Sequence, residues 1–322
     1  MRQDTGLAQP SVGVLVVTWN GAETVRACLT SLQAVHYAAY RICLVDNGSR
    51  PGFAESLASE FPDVEVLTLP HNLGYAGGCN AGLRWAREQG LDYALILNDD
   101  TTADPELIGA LVARAEQVGG SAIVAPQILK TQQPNLVWSA GGLIRRPWFK
   151  ADHIGAGENR TRYREAREVE WASGCALLVP LSVIDTVGPM DDRYFLYLED
   201  VEWCLRMRRH GISVWYEPKA LLWHDVSASV RSMDDRIVRY YSYRNYYLLA
   251  FTHTGVAGRL WFGLHFATTF LKIAIRTALF PSYRRSAWYH ARTRAMVDFL
   301  RGRFGQAPYA DNAPLERQAT VI

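Results

Sequence analysis

The sequence predicts an α/β fold with a mainly parallel central sheet. Over the first 125 residues, short apolar runs alternate with helical patterns, as βαβ units require. Three of those runs end in polar clusters, at residues 18–20, 46–49 and 98–100. In such sheets ligands bind beyond the carboxyl ends of the strands, so the three clusters converge on one crevice.

Residues 12–17 form a continuous apolar run, the pattern of a buried parallel strand. A helical stretch follows to Gln33, and residues 41–45 read as the second strand. Residues 64–67 and 93–97 supply the third and fourth, each reached through a helical segment. From Gln127 to Glu170 glycine, proline and tryptophan mix with charge, which suits short strands plus a mobile loop, with no individual element assigned. Residues 173–180 read as another buried strand, 201–210 as a helix closed by Gly211, and 212–216 as a further strand. After Ser232 the pattern is helical to Arg303, with a loose tail beyond.

A chain of 322 residues with 49% apolar and 20% charged residues can bury a substantial core and has an ordinary soluble composition. No run of ~18 apolar residues marks a membrane span, and Met1 to Pro10 lacks the apolar centre of a signal peptide. Five scattered cysteines (Cys28, Cys43, Cys79, Cys175, Cys204) show no CxxC spacing. Neither a disulfide framework nor a zinc knuckle is expected, and the chain reads as reduced and cytoplasmic. The net charge of +2 hides an asymmetry. Residues 231–304 hold 13 Lys/Arg against 3 Asp/Glu, whereas residues 1–230 hold 20 against 27. Such a basic third suits an anionic partner: nucleic acid, an anionic membrane or a diphosphate.

Asn98-Asp99-Asp100 sits at the fourth strand end. Hard divalent cations take a few carboxylates plus substrate phosphates, which two adjacent acids can provide. Taken alone, the pair equally fits a turn or the helix start at Asp104-Pro105. Asp46, in Asp46-Asn47-Gly48-Ser49, fits a turn, or a carboxylate that accepts a hydrogen bond from a nucleotide. The glycine-dense segment 72–82 opens a helix and lets backbone N–H groups approach a ligand, but it is neither GxGxxG nor a P-loop. Glu199, Asp200 and Glu202 crowd the first turn of a helix, where the dipole favours anions. Asp200 could instead act there as a general base. His224 is either structural or, as a neutral imidazole, a metal ligand.

Together these segments resemble the family-2 glycosyltransferases of GT-A fold, especially rhamnosyltransferase-like and galactofuranosyltransferase-like members. The matching segments are 17–20, 45–49, 72–82, 97–101, 173–180 and 190–211, in the family's order. The resemblance implies a donor pocket in which Asp46 meets the base and Thr18 and Asn20 line the same site. Asn72 and Gly78 belong to the donor-binding set, Asp99 lies near the ribose, and Asp100 binds Mn2+ or Mg2+ with His224 as a further ligand. Asp200 matches the base that deprotonates the acceptor, with inversion at the anomeric carbon. Arg239-Tyr240-Tyr241 and Arg244-Asn245 resemble a downstream segment of rhamnosyltransferase-like members, which gives Arg244 a role near the diphosphate. Two departures stand out. Asn98 replaces a third aspartate found in some members, and the QxxRW motif of processive members is absent downstream, which favours single-sugar transfer.

The expected organisation is a catalytic domain over 1–232 (donor half 10–125, acceptor half 126–232), a basic helical extension over 233–304, and a tail over 305–322. The implied donor is a dTDP- or UDP-sugar, dTDP-rhamnose first, and the acceptor a glycan or lipid-linked glycan. No nucleic-acid partner is expected. Alternative functions are a nucleotidyltransferase acting on sugar phosphates and a non-catalytic nucleotide-sugar-binding relative. The former should carry its glycine-rich loop after the first strand, where Thr18-Trp19-Asn20-Gly21 stands instead. In segment 256–281, His265, Thr268, Thr269, Lys272 and Arg276 share one helical face and Phe262, Phe266, Phe270 and Ile273 the other. This helix packs on the catalytic domain or on a second copy in a homodimer, or it lies on the anionic inner face of the cell membrane.

Overall fold

The computed structural model describes residues 9–225, 235–284 and 286–307, without the side chain of Arg284. The expected domain end at 232 and the expected tail beyond residue 307 lie outside the described residues. The first four strands form where the apolar runs stand: β1 (Val12–Thr18), β2 (Tyr40–Asp46), β3 (Glu65–Thr68) and β4 (Tyr93–Asn98). They alternate with α1 (Ala22–Gln33), α2 (Phe53–Glu60) and α3 (Gly74–Glu88). β1 pairs in parallel with both β2 and β4, and β2 with β3.

The stretch from Gln127 to Glu170 does hold short strands between loops. After β5 (Thr101–Ala103) and α4 (Leu107–Gln117) come β6 (Ile123–Lys130), β7 (Gln133–Ser139), the hairpin β8 (Gly142–Arg145) with β9 (Lys150–His153), and β10 (Arg167–Glu168). β11 (Ala176–Pro180), α5 (Leu181–Val187), α6 (Glu199–Arg209) and β12 (Val214–His224) complete this part. The order across the main sheet is β10-β12-β6-β11-β4-β1-β2-β3, with β5 and β7 paired to β12 and β6. β12 is longer than the strand expected at 212–216. It runs through Pro218 with a register shift between Glu217 and Leu221, and so carries His224 to the pairing position opposite Thr101.

Side chains alternate across the sheet and fill two cores. Val12, Val14 and Val16 pack with Val25, Leu29, Leu57 and Leu111 from α1, α2 and α4. On the opposite face, Leu15 and Val17 pack with Cys79 and Leu83 of α3 and Trp203 and Met207 of α6. The C-terminal helices are α7 (Asp235–His253), α8 (Val256–Leu279), α9 (Pro281–Arg284) and α10 (Ala287–Leu300). Leu248, Leu249 and Phe262 from this group belong to the same core as Leu15. In α8, Phe262, Phe266 and Ile273 turn inward as the sequence suggests, but Thr269 is buried with them and the outward face is not polar.

Gly78, expected in the donor-binding set, lies inside α3 against β1. A Cβ there would stand 2.7 Å from Val17 Cγ1 and 3.2 Å from Asn47 Nδ2. Its lack of a side chain lets helix and strand approach each other. Gly78→Val should therefore destabilise the fold by about 1–3 kcal/mol through overpacking. Urea unfolding measures this, and an unchanged midpoint would refute the packing role.

Candidate active site

The parallel register aligns the strand ends: Thr18 stands beside Asp46, and Val17 beside both Val45 and Asn98. Just beyond, Thr18 Oγ1 donates to Asp99 Oδ2 at 2.6 Å. Asp46 Oδ1 accepts from Ser49 N at 2.9 Å, which closes the turn predicted for Asp-Asn-Gly-Ser. Ser49 Oγ in turn accepts from Asn20 N at 2.9 Å, and Asn20 Oδ1 accepts from Arg50 N at 3.0 Å. Thr18, Asn20, Asp46 and Asp99 thus gather at one rim.

Asn72 is absorbed in shaping the entry to α3, where its Oδ1 accepts from Gly74 N at 2.8 Å. Asn47, which the sequence reading passed over, does related work. It is buried, donates to Gly74 O at 2.9 Å and accepts from Leu73 N at 2.9 Å. Its only sequence signal was its place after Asp46 at a strand end.

Asp100 and His224 meet across the β5–β12 pairing. His224 Nε2 lies 3.2 Å from Asp100 Oδ1, both side chains are buried, and Asp225 N donates to Asp100 O at 2.9 Å. Trp138 sets its ring edge-on to His224 at 4.6 Å. Burial disfavours the His224 imidazolium. Cys175 and the Asp100 carboxylate oppose that and raise its pKa to about 11. Burial also raises the Cys175 thiol. Asp99 is pushed up to about 7, chiefly by burial and also by Asp100, against the hydrogen bond from Thr18.

The side chains here fit a divalent cation. Asp100 offers a carboxylate and His224 an imidazole, and two residues before Asp100 the buried Asn98 Oδ1 accepts no hydrogen bond among the described residues. Two protein ligands leave room for diphosphate oxygens, the usual arrangement for Mg2+ or Mn2+. Among the described residues no cluster of three or more His, Cys, Asp or Glu is positioned to hold a metal on its own.

Asp200 reaches the same rim from the other half of the chain. β11 runs antiparallel to β4, and Asn98 N donates to Cys175 O at 3.0 Å. One residue earlier, Gly174 N donates to Asp200 Oδ2 at 2.9 Å, while Val201 N donates to Oδ1 at 2.7 Å. Tyr75 OH donates to Gly174 O at 2.7 Å and closes the arrangement from the α3 side. Glu199 is buried beside Asp200, and its Oε2 accepts no hydrogen bond among the described residues. Burial, then the Asp200 charge, push Glu199 up to about 8. Burial raises Asp200 as well, but two backbone N–H groups favour its charged form. The proton of the pair therefore resides on Glu199, and Asp200 is the carboxylate.

The assignment of Arg244 to the diphosphate is corrected by its position. Arg244 is wholly buried in α7 and spends its guanidinium on main-chain oxygens: Gly305 O at 2.7 Å, Arg193 O at 3.0 Å and Tyr194 O at 3.0 Å. Its neighbour Asn245 donates to the carbonyls of Tyr194, Leu196 and Tyr197 at 2.7–2.9 Å. Together they clamp the turn before α6, where Phe195, Tyr197 and Leu198 hold φ of 62°, 70° and 70°. Such left-handed residues cost about 1–3 kcal/mol each and persist only when their surroundings over-determine them. Gly74, itself at φ +75°, allows the other side of that turn to close: Tyr75 N donates to Phe195 O at 2.6 Å, where a Cβ on Gly74 would collide.

A mixed, mainly parallel sheet with its polar crevice at these strand ends is the GT-A fold of nucleotide-diphospho-sugar transferases. Residues 13–169 match the sequence profile of glycosyl transferase family 2, and the chain carries a domain of that family. It is 26% identical over 265 residues to the N-acetylglucosaminyl-diphospho-decaprenol L-rhamnosyltransferase of Mycobacterium tuberculosis, over 75% of this chain and 85% of that protein. It is 25% identical over 247 residues to the dTDP-rhamnosyl transferase RfbF of Shigella flexneri, over 74% of this chain and 79% of that protein. A crystal structure of GalNAc-T7 with UDP, GalNAc and Mn2+ matches with a TM-score of 0.57 at 14% identity. That likeness, of fold, covers 74% of this chain and 51% of the other.

The Glu199 proton has a measurable signature. A carboxyl held near 8 in the fold but near 4.5 when unfolded contributes stability that is full below the lower value and lost as pH rises through the upper one. Glu199→Gln removes that titration, so its stability should vary less than wild type between pH about 5 and about 9. Urea unfolding across that range checks it; parallel curves for the two proteins would contradict the assignment.

Proposed function

We propose that this glycosyltransferase moves a single sugar, rhamnose from dTDP-rhamnose being the first choice, onto a hydroxyl of a glycan or lipid-linked acceptor in cell-surface polysaccharide assembly. The observation that carries the reading is the Asp200 carboxyl, held by two backbone N–H groups at the rim that also holds Asp99 and Asp100. The two rhamnosyltransferase relatives support the sugar. The five buried, unpaired cysteines fit a reduced cytoplasmic setting.

In this reading the donor's nucleoside lies across Thr18, Asn20 and Asp46, with Asp99 toward the ribose. Asp100 and His224 would hold Mn2+ or Mg2+, which supplies Lewis-acid neutralisation of the departing diphosphate. For His224 to ligate it must give up the proton that Asp100 stabilises. Asp200 accepts the acceptor's hydroxyl proton as that oxygen bonds to the anomeric carbon. The bond from that carbon to the diphosphate breaks, its electron pair leaves with the nucleoside diphosphate, and the configuration inverts. Glu199 keeps its own proton and so leaves Asp200 the charged member of the pair. Asp200 acts through position more than through an unusual basicity.

Asp200→Asn should keep donor affinity and lose about 10²-fold or more in turnover, the scale of general-base contributions. Isothermal titration with donor and a transfer assay separate the two effects, and near-normal turnover would remove Asp200 as the base. Chelation with EDTA should abolish transfer and added Mn2+ or Mg2+ restore it; activity indifferent to chelator would end the metal role of Asp100 and His224. A thermal-shift panel of UDP-, dTDP- and GDP-sugars with Mn2+ should give its largest stabilisation with dTDP-rhamnose.

A further inference from the structure

α8 has two apolar faces. Phe262, Phe266 and Ile273 point into the protein. The opposite side carries Val256, Leu260, Leu264, Leu271, Ile275 and Leu279, exposed by 47–75%. At 3.6 residues per turn these six fall within an arc of about 140°, along a helix about 36 Å long. A water-facing helix ordinarily turns charged and polar residues outward. Here Lys272 and Arg276 flank the stripe on one side and Arg259 on the other, and α8 contains no acidic residue. From Gly255 to Gly305 the chain has nine Lys/Arg and one acid, Asp298, which is buried and bonded to Tyr240 and Arg294. No helix among the described residues is long and apolar enough to cross a membrane.

We propose that the outer face of α8 lies in the plane of an anionic lipid bilayer. The leucine stripe enters the boundary between headgroups and acyl chains, and Arg259, Lys272 and Arg276 meet lipid phosphates. Charge selects this occupant over a second copy of the chain. A two-fold contact through α8 would set the same basic flanks against each other with no acid to pair them. The helix is also fixed to the catalytic body. Tyr246 OH donates to Trp148 O at 2.5 Å, and the Trp148 ring meets Trp261 of α8 at 4.8 Å. A bilayer under α8 therefore sets the orientation of the crevice.

The test is sedimentation of the full chain with vesicles of phosphatidylcholine, with and without phosphatidylglycerol. Wild type should sediment with the anionic vesicles, and less so as salt rises. The triple variant Leu260→Glu, Leu264→Glu, Leu271→Glu should bind about tenfold or more weakly, since each change removes buried apolar area. It should keep wild-type melting and donor affinity, because all three side chains are exposed. Lys272→Gln with Arg276→Gln should lose about fivefold per charge on anionic vesicles only. Absence of wild-type binding, or equal binding by wild type and the triple variant, would overturn the proposal. So would a wild-type dimer by light scattering that the triple variant converts to monomer, with neither protein sedimenting. Should the triple variant fail to fold, the charge pair decides, and its unchanged binding to anionic vesicles would equally end the idea.

Discussion

The antiparallel pairing of β11 with β4 is the constraint on which the site depends. β4 ends at Asn98, just before Asp99 and Asp100, and β11 begins where β4 ends, so their register sets Gly174 and Cys175 against the acidic segment. Gly174 then holds Asp200 through its own N–H. A one-residue slip would turn every side chain of β11 to the other face, exchanging Leu177 and Val179 with Ala176 and Leu178 between the two cores and shifting Gly174 away from Asp200. Asp99 and Asp100 on one side and Asp200 on the other, about 100 residues apart in sequence, are thus placed by the same ladder that closes the core. Site geometry and fold stability cannot be separated at this strand.

Charge is handled in a similar way at both acidic pairs. Asp99 beside Asp100 and Glu199 beside Asp200 each put two carboxyls in partly or wholly dry surroundings, where both cannot ionise cheaply. In each pair one member is pushed up, to about 7 for Asp99 and about 8 for Glu199. The other member gains a specific partner: His224 for Asp100, and two backbone N–H groups for Asp200. Adjacent acids of the same type thus acquire different roles from their surroundings.

Much of this was legible in the sequence. Strands buried on both faces leave continuous apolar runs, so β1, β2, β3 and β4 were read nearly to the residue, and with them the polar ends at Thr18, Asp46 and Asp99. The stretch from Gln127 to Glu170 was not legible. Its strands are short or lie at sheet edges, and their few apolar residues, Leu136 to Trp138 in β7 and Leu143 and Ile144 in β8, stand side by side in the sequence and do not alternate with polar ones. Arg244 was misread for a physical reason. An arginine in a basic, helical stretch looks the same whether it meets phosphate or buried carbonyls, and only the folded position of the 193–197 turn tells them apart. Gly78 is ambiguous in the same way, since a glycine near a ligand loop and a glycine at a helix–strand contact leave the same letter.

The turn ahead of α6 has a consequence for how the enzyme would spend free energy over a working cycle. Its left-handed residues are held from one side by Asn245 and from the other by Tyr75, whose hydroxyl also grips Gly174. The cost of aiming Asp200 is met when the chain folds, so little reorganisation remains for each turnover. In the proposed role such a carboxylate tolerates little positional error. Its accuracy would be guarded by residues remote from the crevice, among them Asn245 and Arg244 in a helix beyond the last strand of the sheet.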